Sequence, residues 1–197
     1  MVFSLLADAV KSKSYDKIAG IYDELMLQYS AQGIAFQDEW PYAIHLLGHL
    51  YNNDINSARF LWKTIPAAIK EGRPELVAVW KIGQKLWTRD YAGVHEALRD
   101  YEWSPEVRDI VLSFSDLYTK RMFDLLVSAY STISVQDTAL FLGMNVGDAT
   151  NYVLGQGWSL DPASQMLTVK KQAIVKEQKL DASKLQRLTE YVFHLEH

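Results

Sequence analysis

The sequence of 197 residues has no cysteine and no apolar run of the length that a membrane span requires. The absence of cysteine excludes disulfides, thiolate nucleophiles and cysteine-ligated metals. Acidic residues outnumber basic ones by 24 to 20, which argues against a broad cationic surface for nucleic acid or anionic membranes. The first residues also lack the basic start and cleavage motif of a secretory signal. We therefore expect an intracellular protein without a membrane partner.

Apolar residues instead recur at helical spacing from about residue 14 to residue 130. Prolines at positions 41, 66, 74 and 105 are placed to begin helices, and Asp54 and Asp90 to cap them. These signals predict a succession of amphipathic helices. Helical spacing also predicts that three of the six tryptophans are core residues: Trp62, Trp80 and Trp87.

A short pattern occurs twice in this helical part. Leu47-Gly48-x-x-Tyr51 returns as Ile82-Gly83-x-x-Leu86, close to one tetratricopeptide repeat of about 34 residues further on. Each glycine would let a neighbouring helix approach closely. The pattern favours a degenerate helical-repeat stack, and the alternative is an all-helical domain built of consecutive helix pairs.

The composition changes after Tyr130, where β-branched residues, glycine and serine become frequent. The order of elements here predicts a winged helix. The predicted elements are a strand at 132–134, a helix at 135–142, a turn at Gly143, a helix at 146–154, and a strand at 166–169.

A winged helix suggests DNA binding, but the expected recognition helix, within 145–156, has no Lys or Arg and carries Asp148. Protein contact is therefore favoured, and a nucleic-acid-binding winged-helix protein remains the alternative. The last helix, about 181–197, has a narrow apolar stripe of coiled-coil spacing, and Phe193 lies off this stripe. Its residues are Leu185, Leu188, Val192 and Leu195.

Catalytic signatures are scarce. His45 and His49 have the spacing of a helical metal pair, but no third ligand is evident, and packing is the favoured interpretation. Gly155-x-Gly157 ends a helix and so has the wrong polarity for phosphate binding. Arg121 falls on an apolar stripe, where a structural salt bridge is expected. We expect no enzyme activity, no catalytic residues, no bound metal and no cofactor.

The chain resembles the PCI family, whose members occur in the COP-nine signalosome, the proteasome lid and eukaryotic initiation factor three. Within that family it closely resembles the plant form of the signalosome branch. The segments that carry the resemblance are spread along the chain: Asp38-Glu-Trp-Pro-Tyr-Ala-Ile-His-Leu-Leu-Gly48, Ser57-Ala-Arg-Phe-Leu-Trp-Lys-Thr-Ile-Pro66, Gly83-Gln-Lys-Leu-Trp-Thr-Arg-Asp-Tyr-Ala-Gly-Val94, Thr119-Lys-Arg-Met-Phe123, Ala129-Tyr-Ser-Thr-Ile133, Gln156-Gly-Trp158 and Leu185-Gln-Arg-Leu-Thr-Glu-Tyr-Val192.

This resemblance implies a mostly α fold: a tetratricopeptide-like repeat domain at 1–130, a winged-helix subdomain at 131–170, a linker at 171–180, and a bundle helix at 181–197. It implies a non-catalytic scaffold in the nucleus and cytoplasm, in a complex that removes a ubiquitin-like modifier from cullins and represses photomorphogenesis. The implied partners are other signalosome subunits, subunit three first, with no nucleic acid. The expected interface lies on the winged-helix edge strands and the last helix: Thr132, Ile133, Met166, Thr168, Leu185, Leu188, Tyr191, Val192 and Leu195.

Overall fold

The computed structural model describes residues 12–33, 39–171, 186–187, 189 and 191–193. A 3₁₀ turn, Tyr15–Lys17, leads into the helical part. Its helices are α1 (Ile18–Ala31), α2 (Tyr42–Tyr51), α3 (Ile55–Thr64), α4 (Ala67–Gly72), α5 (Pro74–Trp87), α6 (Tyr91–Arg99) and α7 (Pro105–Ala129). In the part of the chain that is described, no helix combines the length and apolarity needed to span a membrane.

The helices begin where the local sequence provides caps. The Asp54 carboxylate accepts a hydrogen bond from the N–H of Ser57 at 3.0 Å, and the Asp90 carboxylate accepts one from the N–H of Gly93 at 3.0 Å. Pro74 and Pro105 occupy first helical positions, where the missing N–H costs nothing. These helix starts at Asp54, Pro74, Asp90 and Pro105 confirm those that the sequence predicted.

Helix α2 is the centre of the helical core. It packs against α1, α3, α5 and α7, and its Leu46, Leu47 and Leu50 have no exposed surface. Gly48 faces α1 so closely that an added Cβ would lie 2.8 Å from the backbone nitrogen of Ala19. The corresponding position in α5 is looser towards the neighbouring helix: a Cβ on Gly83 would meet Leu50 of α2 at 3.4 Å, and its tighter contact, at 3.2 Å, is with Trp80 of its own helix. The close-approach role predicted for both glycines therefore holds for Gly48 alone.

The winged helix follows as β1 (Thr132–Ser134), α8 (Val135–Leu142), α9 (Val146–Gly155), β2 (Ser159–Asp161) and β3 (Met166–Thr168). The strands form an antiparallel sheet in the order β1-β3-β2. Gly143 ends α8 with a φ of 66°, a left-handed conformation that suits glycine. The mostly helical fold with a small C-terminal winged helix is confirmed.

Two expectations about single residues are wrong. Trp87 lies at the end of α5 and is 52% exposed, so it is no core residue, whereas Trp62 and Trp80 pack against the core. Arg121 forms no salt bridge within the described residues, and its guanidinium donates instead to the carbonyl of Tyr51 at 2.8 Å. That carbonyl lies near the end of α2, where helix carbonyls lack intrahelical donors.

Candidate interaction surfaces

The winged-helix sheet has free edges at β1 and β2 in the described part of the chain. Strand β3, with Met166 and Thr168, lies between them and is paired on both sides. These two residues were expected on an edge strand, and that placement is wrong. Strand order depends on tertiary packing, which the local sequence pattern does not encode.

The register of β1 shows which backbone groups point outward. The carbonyl of Ser131 accepts a hydrogen bond from the N–H of Val169, and the N–H of Val135 donates to the carbonyl of Gln165. The backbone N–H and carbonyl groups of odd-numbered residues in β1 therefore point toward β3. The backbone N–H and carbonyl of Thr132 therefore point away from the sheet, and its side chain is exposed. The side chain of Ile133 is 3% exposed and packs in the core. Thr132 is the residue of this strand that is best placed to pair with a further strand.

Helix α9 is poorly suited to read DNA. It contains no Lys or Arg, and the amide of its cap residue Asn145 donates to the carboxylate of Asp148. Val146 and Leu154 are 50% and 40% exposed, so apolar surface replaces the cations that phosphate contacts require. This surface favours contact with protein.

The candidate residues of the last helix divide into two groups. Tyr191 and Val192 are helical and 63% and 54% exposed. Leu185, Leu188 and Leu195 lie outside the described residues. An interface role for these five residues stays a prediction.

A cluster of two buried histidines and one exposed aspartate joins α1 to α2. The Oδ1 atom of Asp23 lies 2.9 Å from Nε2 of His45 and 3.3 Å from Nε2 of His49, and the two Nε2 atoms are 3.2 Å apart. Ligands of a tetrahedral zinc ion are also about 3.3 Å apart, so these residues could surround a metal. Asp23 is the third group that the sequence did not reveal, because it lies 22 positions before His45 on another helix.

The protons of the cluster nevertheless favour a hydrogen-bonded network over a metal site. The indole N–H of Trp40 donates to Nδ1 of His45 at 3.2 Å. Neutral His45 must then carry its proton on Nε2, from which it donates to Asp23. A metal at Nε2 would displace that proton and require one on Nδ1, where Trp40 is already the donor. Burial lowers the pKa of His45 to about 4, which keeps the ring neutral at pH 7.

The winged helix is fixed to the helical part through α6. The ring of His95 is buried, and its Nε2 lies 3.0 Å from the carbonyl oxygen of Phe141 in α8. Arg99 donates to the carbonyl of Gly143 at 2.9 Å. Burial lowers the pKa of His95. Because the carbonyl oxygen can only accept, the neutral ring carries its proton on Nε2 and donates a hydrogen bond to the carbonyl of Phe141.

Helix pairs that run directly into a winged helix define a PCI-type protein. The family model described as CSN8/PSMD8/EIF3K matches residues 37–179, and the chain belongs to this family.

Its relatives extend over the full length. COP9 signalosome complex subunit 8 of Arabidopsis thaliana is 66% identical over 197 residues, which are all of both chains. The protein of that name from Xenopus laevis is 38% identical over 95% of each chain. The one from Danio rerio is 35% identical over 91% of this chain and 96% of its own.

Proposed function

We propose that this chain is a non-catalytic scaffold subunit of the COP9 signalosome. The observation that carries the proposal is the 66% identity, over the whole of both chains, to a protein named as subunit 8 of that complex. The proposed complex removes a ubiquitin-like modifier from cullins in the nucleus and cytoplasm, and in plants it represses photomorphogenesis. The chain's contribution is to hold other subunits together, subunit three first among them.

The proposed contacts are of two kinds. The outward backbone groups of Thr132 pair with a strand of another subunit, which extends the winged-helix sheet. The apolar residues of segment 181–197 enter a helical bundle formed by several subunits. The exposure of Tyr191 and Val192 supports this second contact.

The strand contact is tested by Thr132→Pro. Proline removes an N–H that faces outward and leaves the bonds between β1 and β3 in place, since those come from the odd-numbered residues. The control is Thr132→Val, which keeps the N–H and changes only the side chain. Tagged variants are expressed in cells that lack the endogenous protein, and co-purifying subunits are identified by mass spectrometry. We expect the proline variant to lose subunits that the valine variant retains, and equal recovery would contradict the strand contact.

The bundle contact is tested by deleting residues 181–197. The control is Arg187→Ala, a change at an exposed position of the same segment. We expect the deletion to abolish incorporation and the alanine variant to preserve it. Full incorporation of a stable truncated chain would refute the bundle role. If the full-length chain recovers no signalosome subunits at all, the proposed function itself fails.

A further inference from the structure

An exposed aromatic surface lies on the helical part, between α3 and α5. Trp87 at the end of α5 is 52% exposed, and Phe60 on α3 is 75% exposed. A cavity of about 520 Å³ opens here, a size typical of ligand pockets. We call this surface the Arg59 face after the residues that line the cavity: Arg59, Trp80, Gln84, Lys85, Trp87 and Thr88.

Among the described residues, the guanidinium of Arg59 makes a cation–π contact with a tryptophan ring in place of a salt bridge with a carboxylate. Its Cζ lies 4.6 Å from the centroid of the Trp87 ring. Within the described residues Arg59 forms no ion pair. The guanidinium also makes no hydrogen bond to the residues that the structure describes, so its N–H groups are available to a carboxylate, which an arginine can bind through two parallel hydrogen bonds.

The charge at the cavity selects the kind of occupant. Lys63 lies one helical turn beyond Arg59 and is exposed, while Lys85 lines the cavity and pairs with Asp90. Because Asp90 neutralises Lys85, Arg59 and Lys63 are the cations left for an occupant, on a chain whose net charge is −4. Two cations can hold one or two carboxylates, but they do not form the continuous track of phosphate contacts that a nucleic acid needs.

We propose that the Arg59 face binds an extended acidic segment of another polypeptide. One carboxylate of the segment lies on the Arg59 guanidinium, and a neighbouring apolar side chain enters the cavity against Trp80 and Trp87. This contact is additional to those of the winged helix and segment 181–197, and it does not depend on them.

The test uses the isotope-labelled full chain and the capped peptide Asp-Glu-Phe-Asp-Glu-Leu. Binding is followed by the indole N–H signals of the six tryptophans, with Trp80→Phe and Trp87→Phe assigning the two at the face. We expect shifts at Trp80 and Trp87, and affinity about tenfold lower in Arg59→Gln. The control Arg108→Gln removes the same charge from an exposed position of α7 and should bind normally.

Four outcomes would overturn the proposal. Two concern the peptide: a peptide with Asn and Gln in place of the acids binds as tightly as the acidic one, or Arg59→Gln binds the acidic peptide as tightly as the parent does. The other two concern a different occupant: a single-stranded oligonucleotide binds this face more tightly than the peptide, or the chain self-associates through Trp87. The thermal midpoint of Arg59→Gln is measured alongside. Because the side chain is exposed, an unchanged midpoint will show that lost binding is not lost folding.

Discussion

The close crossing of α1 and α2 leads us to predict that alanine at Gly48 destabilises the fold, the opposite of what helix propensity predicts. Gly48 in α2 and Gly20 in α1 both lie inside helices. Propensity alone predicts that alanine at either position stabilises the fold by about 0.5–1 kcal/mol. Only packing distinguishes the two sites, so the pair of substitutions isolates its contribution.

At Gly48 the added methyl group has no room. It would lie 2.8 Å from the backbone nitrogen of Ala19 and 3.0 Å from Cγ2 of Ile18. A backbone atom cannot move aside by changing rotamer, so the whole of α1 must shift. Overpacking of this kind costs about 1–3 kcal/mol, and after the propensity gain we expect Gly48→Ala to lose about 1–2 kcal/mol. At Gly20 nothing lies within 4 Å of the new Cβ, so Gly20→Ala should gain its full propensity term.

Urea unfolding followed by tryptophan fluorescence measures both changes. The Gly48→Ala midpoint should fall and the Gly20→Ala midpoint should rise, with unchanged slopes. In thermal unfolding we expect Gly48→Ala to lower the midpoint by about 2–8 °C for a chain of this size. If Gly48→Ala stabilises the protein as much as Gly20→Ala does, α1 does not cross α2 at this glycine, and the reasoning is refuted.

The remaining predictions concern buried charge and hydrogen bonding. Because burial lowers the pKa of His45 to about 4, below its unfolded value near 6.5, the unfolded chain takes up the proton first as the pH falls. The contribution of neutral, buried His45 to the free energy of unfolding is therefore complete above about pH 6.5 and is lost progressively toward pH 4. His95, whose pKa is also lowered by burial, acts in the same direction. A free energy of unfolding that stays constant between pH 7 and pH 5 would contradict this. Arg121→Met keeps the aliphatic stem but removes the hydrogen bond to the Tyr51 carbonyl, so we expect a loss of about 1–3 kcal/mol by calorimetry. An unchanged unfolding temperature would show that the bond contributes no stability.

Local features of the fold could be predicted because they depend on neighbours in the sequence. Asp54 and Asp90 cap the residues three positions on, and Gly143 supplies a left-handed turn at the end of α8. The succession of such signals was enough to predict helical pairs followed by a winged helix. Each depends on the chemistry of a few consecutive residues, which the sequence displays directly.

Features that join distant elements could not be predicted in this way. Asp23 meets His45 because α1 packs on α2, and no local pattern links the two residues. Strand β3 became the central strand because the chain returns between its two partners, which the composition of residues 166–168 does not show. Trp87 fits a helical stripe, but that stripe continues past the point where α5 leaves the core. Periodicity shows which face of a helix is apolar, but not how far along the helix other elements bury that face.

The junction between α6 and α8 determines how the proposed interfaces act together. A Cβ on Gly143 would overlap the ring of His95, so the turn after α8 packs directly on the imidazole. Arg99 bonds the same turn through the carbonyl of Gly143. This packing and the hydrogen bonds from His95 to Phe141 and from Arg99 to Gly143 restrict rotation of the winged helix about α6. The edge at Thr132 and the Arg59 face are therefore held in one orientation, and a partner strand added at the first also sets the direction from which a second chain can approach the other.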